Sequence, residues 1–163
     1  MPFTPVLQGT HARWQEVTDL EYIPAQRGRT GEPARVLVLE PDRPLRTLLA
    51  EWVEMAGYRF VEGHIADPAT NAVAPCEVIL IDVRAPLRSA RLAISSMAAA
   101  LPHASLVPLP ADPRATGQRA TEAVARELGV AAVLVKPFGR DELTRAIERA
   151  LATMRGSCNV IRP

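Results

Sequence analysis

Three short stretches carry the residues that could do chemistry. One apolar run ends in Glu40-Pro41-Asp42, a second ends in Asp82, and a third ends in Lys136-Pro137-Phe138. Lys136 is the one lysine in a chain with 19 Lys and Arg. An ammonium is a compact point charge and a guanidinium is a planar fork. A single lysine in an arginine-rich chain therefore hints at a place where a point charge is wanted. Two carboxylates and an ammonium at one edge suit a hard cation and a phosphoryl group. Taken singly, each reads as a solvated loop charge; the trio is what carries chemistry.

Something must bring them together. Val36-Leu37-Val38-Leu39, Val78-Ile79-Leu80-Ile81 and Val133-Leu134-Val135 are apolar at every position, as strands buried on both faces are. Tyr58-Arg59-Phe60-Val61 and Ser105-Leu106-Val107-Pro108-Leu109 are weaker strand candidates. Between them lie amphipathic stretches. Leu45, Leu48, Leu49, Trp52, Val53 and Ala56 recur at helical spacing, opened by Asp42 or Arg43 with Pro44 in the first turn and closed by Gly57. Further stripes are Leu87, Ile94, Met97 and Leu101, then Ala120, Val124 and Leu128, then Leu143, Ile147, Ala150 and Leu151. In the last, Asp141 and Glu142 suit the positive end of the helix dipole, and Asp141 is placed to pair with Arg145. Residues 65–74 hold at most a short helix. Strand–helix alternation predicts right-handed βαβ units: a three-layer α/β sandwich with a five-stranded parallel sheet. In such sheets ligand chemistry sits at the carboxyl ends of the strands, which is where Glu40, Asp82, Asp112 and Lys136 fall.

Composition narrows the classes. The chain has 163 residues, 48% apolar and 23% charged, with net charge +1. That fits one globular domain with a tail and argues against broad nucleic-acid binding, which needs a basic field. No apolar run approaches the ~18 residues of a membrane span, and no signal peptide is visible; the expectation is a cytoplasmic protein. Cys76 and Cys158 are too few for a disulfide framework or a zinc site. Cys76 reads as a small buried hydrophobe before the third strand, and Cys158 has no visible partner. His64 and His103 read as loop residues. The expected division is an N-terminal extension and linker over 1–34, a domain over 35–152 and a tail over 153–163. Within the extension, residues 11–20 suit a short helix carrying Trp14 and Val17. The tail is too short to build a helix-turn-helix.

Over residues 35–152 the chain resembles a response-regulator receiver domain. The resemblance rests on Arg35-Val-Leu-Val-Leu-Glu-Pro-Asp-Arg-Pro-Leu-Arg, Trp52-Val-Glu-Met-Ala-Gly-Tyr, Val78-Ile-Leu-Ile-Asp-Val-Arg-Ala-Pro86, and Gly129-Val-Ala-Ala-Val-Leu-Val-Lys-Pro-Phe138 followed by Asp141-Glu-Leu143. It implies a (βα)5 flavodoxin-like fold with strand order 2-1-3-4-5 and a role in two-component phosphorelay signalling, with a histidine kinase or phosphotransfer protein as partner. It implies Asp82 as phospho-acceptor and Lys136 as the phosphoryl contact. It further implies a Mg²⁺ shell from Glu40, Asp82 and the backbone carbonyl of Arg84.

Three positions depart from the family pattern. Pro41 stands where a second acid is expected, Pro110 where a hydroxyl reports phosphorylation, and Val133 where a switch aromatic is usual. Pro offers neither a carboxylate nor an N–H, so Mg²⁺ binding is expected to be weak and Asp82 a weakened acceptor. The expected protein is therefore not an enzyme. It acts through protein–protein contacts with a kinase, another signalling protein or a second copy of itself, and binds no nucleic acid or membrane. Arg145 and Arg149, with Arg119, Arg126 and Arg140, are candidates for the rim of the contact face.

The alternatives are a phosphorylation-independent pseudo-receiver adaptor and a phosphatase of the haloacid-dehalogenase type. The latter wants a second Asp two residues after Asp82, where Arg84 stands. No Gly-x-Gly-x-x-Gly follows the first strand and no Gly-x-x-x-x-Gly-Lys occurs, which argues against dinucleotide and P-loop enzymes.

Overall fold

The structure, a computed structural model, describes residue 28 and residues 31–63, 76–84, 86–111 and 117–158, apart from the side chains of 88, 89 and 156–158. The helix expected over 11–20 with Trp14 and Val17, the short helix over 65–74, His64, Asp112 and the Cys158 side chain lie outside the described residues. The elements in chain order are β1 (Arg35–Leu39), α1 (Arg43–Met55), β2 (Arg59–Glu62), β3 (Val78–Val83), α2 (Leu87–Ala100), β4 (Ser105–Pro110), α3 (Gln118–Leu128) and α4 (Arg140–Cys158). α4 continues into the stretch expected to be a tail.

The strands pair in parallel in the order β2-β1-β3-β4. Successive side chains of a strand point to opposite faces, so each apolar run feeds two cores. Val36, Val38, Val78, Leu80, Val107 and Leu109 pack with Leu49 and Val53 of α1 and Leu143 and Ile147 of α4. Leu37, Leu39, Ile79, Ile81 and Leu106 pack with Ile94 of α2 and Val124 and Leu128 of α3. This is the expected three-layer sandwich.

α1 starts where the sequence suggests: the Asp42 carboxylate accepts from the Leu45 N–H at 2.9 Å, and Pro44 lies in the first turn. It ends in a Schellman turn, with Tyr58 N–H donating to the Val53 carbonyl and Gly57 N–H to Glu54, around Gly57 at φ 79°. At the start of α4, Gly139 N–H donates to Glu142 Oε2 at 2.7 Å. Arg145 donates to the Asp141 backbone carbonyl, at 3.1 Å, where pairing with the Asp141 carboxylate was expected.

The sheet differs from expectation in its fifth member. Among the described residues four strands form ladders, and 133–135 is not a fifth. The reason is chemical. Leu134 N–H donates to the Pro108 carbonyl at 3.0 Å and Lys136 N–H to the Pro110 carbonyl at 2.9 Å. In a parallel ladder, residues 108 and 110 would return bonds through their own N–H groups. Proline has none. The segment is thus tethered to β4 by acceptors alone, while the other side of β4 keeps its full register with β3, from Val78↔Ser105 to Val83↔Pro110. The break on one side near residue 108 follows from two prolines spaced two apart on the same ladder. The side chains still alternate as a strand's would, Val133 into one core and Leu134 into the other.

Candidate functional site

One residue beyond the Leu39↔Ile81 pair, β1 and β3 deliver Glu40 and Asp82 side by side at the carboxyl edge. The segment after Leu134 brings Lys136 to the same place. Lys136 Nζ lies 2.7 Å from Glu40 Oε2 and 2.6 Å from Asp82 Oδ1. The three residues singled out by type and spacing meet around one ammonium.

The cluster is shielded. The Glu40 side chain is 0% exposed, that of Asp82 5% and that of Lys136 22%. Glu40 is satisfied twice, because its Oε1 accepts from the Asp42 N–H at 3.0 Å. A buried carboxylate is tolerable only with such partners. Asp82 is also satisfied twice: Arg84, whose side chain is 71% exposed, donates from Nε to Asp82 Oδ2 at 2.7 Å.

Burial pushes the Asp82 carboxyl up, but hydrogen bonds from Lys136 and Arg84 outweigh it and hold the group below the ordinary carboxylate value. Burial pushes Lys136 down, but its hydrogen bonds to Asp82 and Glu40 outweigh that and hold it above the ordinary lysine value. The hydrogen bond to Asp82 raises Arg84 further. A carboxyl depressed in the folded state contributes stability above its unfolded pKa of about 4, and that stability is lost as pH falls through the folded value. A raised lysine contributes below about 10.5, and that stability is lost as pH rises through its folded value. Stability from this cluster is therefore level between about pH 5 and 9. In urea unfolding series across pH, Asp82→Asn is expected to lower the neutral plateau and flatten the acid limb. An acid limb as steep as the wild type's would show that Asp82 is not responsible.

Two contacts had no assignment from sequence. The Arg84 guanidinium reaches Asp82, where only the Arg84 backbone carbonyl was expected to matter. Arg46, one turn into α1, donates to the Glu40 carbonyl at 2.6 Å and pairs with Glu62 Oε1 at 3.0 Å, fixing the turn that aims Glu40. The signal for Arg46 was its place four residues after the helix-capping Asp42, on the side facing the strand ends.

The three positions expected to depart from the family pattern lie apart from one another. Pro41 is exposed in the turn after β1, Pro110 is buried at the end of β4, and Val133 is buried in the α2–α3 core. The metal donors expected at Glu40 and Asp82 do not fit a Mg²⁺ ion as arranged. Glu40 Oε2 and Asp82 Oδ1 both accept from Lys136, Asp82 Oδ2 accepts from Arg84, and the Asp42 carboxylate caps α1. Among the described residues no group of three His, Cys, Asp or Glu is placed to hold a metal. Cys76 is buried as expected, and burial together with Glu77 pushes its thiol up to about 11, too high for a nucleophile at neutral pH. Arg145 and Arg149 are exposed and border a groove of about 470 Å³ between α3, α4 and residues 132–137.

No family model matches the chain. It is 34% identical over 127 residues to the transcriptional regulatory protein PdtaR of Mycobacterium tuberculosis, a match covering 76% of this chain. The chain spans 59% of the length of those relatives. A response regulator from Thermotoga maritima superposes with TM-score 0.59 at 15% identity, over 74% of this chain and 98% of that one. A CheY-like receiver domain protein from Methanospirillum hungatei JF-1 superposes with TM-score 0.59 at 15% identity, over 77% of this chain and 99% of that one. With Asp82 and Lys136 facing each other at the carboxyl edge, the chain has the fold of response-regulator receiver domains.

Proposed function

We propose that this receiver is a weakened phosphoryl acceptor that signals through protein–protein contact and is not an enzyme. The observation that carries the reading is that both Asp82 carboxylate oxygens accept from cations of the chain itself, at 2.6 and 2.7 Å. A carboxylate held in this way must loosen the charge-assisted bond on whichever oxygen attacks phosphorus, and the cation on the other oxygen lowers its nucleophilicity. Receiver domains generally bind Mg²⁺ at their active site; here the ion would compete with Lys136 and Arg84 for the same oxygens, so binding is weak. Residues that would pass a signal outward are also changed. Pro110 has no hydroxyl to pull the following loop inward, and Val133 lacks the aromatic ring of the family pattern.

Response regulators meet histidine kinases and other signalling proteins. For this chain the partner is a histidine kinase or phosphotransfer protein, or another signalling protein if Asp82 stays unmodified. The contact face is the groove bordered by Arg145 and Arg149, which a second copy of the chain would also fit. Nucleic acid and membrane are not partners in this reading. No helix among the described residues is long and apolar enough to cross a membrane, and the place of action is the cytoplasm. The segment 132–136 runs beside β4, on the side where the fifth strand of the order 2-1-3-4-5 would stand.

Incubation with acetyl phosphate and Mg²⁺, followed by intact mass, tests the acceptor. Slow, minor labelling is expected. Rapid stoichiometric labelling that disappears in Asp82→Asn would restore an ordinary phosphorelay role.

A further inference from the structure

We propose that Arg84 takes the place of the divalent cation: its guanidinium is a tethered charge that closes the Glu40–Asp82–Lys136 cluster without metal. The inference rests on the reading of Asp82 as an occupied acceptor and deepens it. Charge balance is the first argument. Glu40 and Asp82 bring two negative charges, and Lys136 and Arg84 bring two positive ones, all joined by contacts of 2.6 to 2.7 Å. A divalent ion added to this set would leave it doubly positive at a shielded edge, where charge is costly.

Geometry is the second argument. Lys136 engages one Asp82 oxygen and one Glu40 oxygen, leaving Asp82 Oδ2 as the outward-facing acceptor. Arg84 covers that oxygen at 2.7 Å, while the rest of its own side chain is mostly exposed. It thus lies as a cap over a carboxylate that is only 5% exposed. The third argument is the change at Pro41. An edge that has lost one carboxylate needs one positive charge less, and the exchange of a divalent ion for a monovalent guanidinium matches that loss.

Arg84 is therefore the residue that excludes metal. Manganese(II) serves as the probe, because free and bound ion are distinguished by electron paramagnetic resonance. Arg84→Ala is expected to bind Mn²⁺ at least tenfold more tightly than wild type and Arg84→Lys. Adding Asp82→Asn to Arg84→Ala should abolish the gain. Arg84→Gln, which keeps a polar side chain without the charge, repeats the test if the alanine variant does not fold. The proposal is overturned if the wild type binds Mn²⁺ as tightly as the neutral variants, or if neither neutral variant gains affinity. Failure of the acceptor reading would show separately, as phosphoryl labelling of the wild type, and does not alter the Mn²⁺ comparison.

Discussion

Lys136→Met is expected to destabilise the domain by about 3 kcal/mol, the lower end of the ~3–5 kcal/mol seen when one partner of a buried ion pair is removed. The lower end applies because the Lys136 side chain keeps 22% exposure. The substitution preserves length and apolar volume, so packing loss is small. What remains is a Glu40 carboxylate with no exposure facing Asp82 with no ammonium between them. Two like charges at that spacing repel, and neither retains its strongest hydrogen bond.

The prediction separates charge from packing. Adding Glu40→Gln to Lys136→Met removes one orphaned charge and should recover part of the loss, as should adding Asp82→Asn. Glu40→Gln alone in the lysine background should cost stability, since Lys136 and the Asp42 N–H then face a neutral amide. Urea midpoints of the four proteins form a double-mutant cycle with strong coupling between 40 and 136. A Lys136→Met cost below about 1 kcal/mol, the ordinary worth of an exposed ion pair, would show that the cluster is not a structural unit. Lys136→Arg is expected to fail as a conservative replacement, because a planar fork cannot place one nitrogen between two carboxylates aimed at a point.

Much of this site was legible from residue types alone. Glu40, Asp82 and Lys136 stand at the ends of runs apolar on every position, and such runs have nowhere to go except the middle of a two-faced sheet. Once the strands are parallel, their carboxyl ends share an edge, and the trio must meet there. Helix limits were legible where capping chemistry is local, as at Asp42, Pro44 and Gly57. What escaped depends on side-chain reach across elements. Arg84 was read for its backbone because nothing in a linear sequence shows a guanidinium folding back onto a residue two positions earlier. Arg46 was passed over as one arginine among many. The Asp141–Arg145 pair was read from spacing, but with both groups exposed the gain is a few tenths of a kcal/mol, and Arg145 takes the carbonyl instead. The place of the fifth segment was legible from the apolarity of 133–135, and the break in its pairing near residue 108 from Pro108 and Pro110, two apart on one ladder.

Those prolines set the second expectation. Pro108→Val with Pro110→Thr should complete the ladder between β4 and 132–136 and raise stability by about 1 kcal/mol. Each substitution supplies an N–H on the side where Leu134 and Lys136 already donate. In parallel register the new donors face the carbonyls of 132 and 134. Two hydrogen bonds contribute roughly 0.5–1.5 kcal/mol each. Loss of the ring's restraint on the unfolded chain costs about 0.4–1 kcal/mol per proline. The balance favours the variant modestly, and hydrogen exchange is the sharper readout. The amides at 108 and 110 should exchange as slowly as those of the β3–β4 ladder, and the amides of Leu134 and Lys136 should slow along with them. Both positions are buried on the face of β4 that carries Leu106, which suits β-branched side chains. Fast exchange at 108 and 110, or a net loss of stability, would mean that the proline rings pack in a way an open side chain cannot replace and that 132–136 is held only by its side chains and the two bonds already donated by Leu134 and Lys136. Thr at 110 also returns the hydroxyl that the family pattern places there. If labelling of Asp82 by acetyl phosphate stays slow in this variant, the limit lies with the cations on Asp82 and not with the strand that follows.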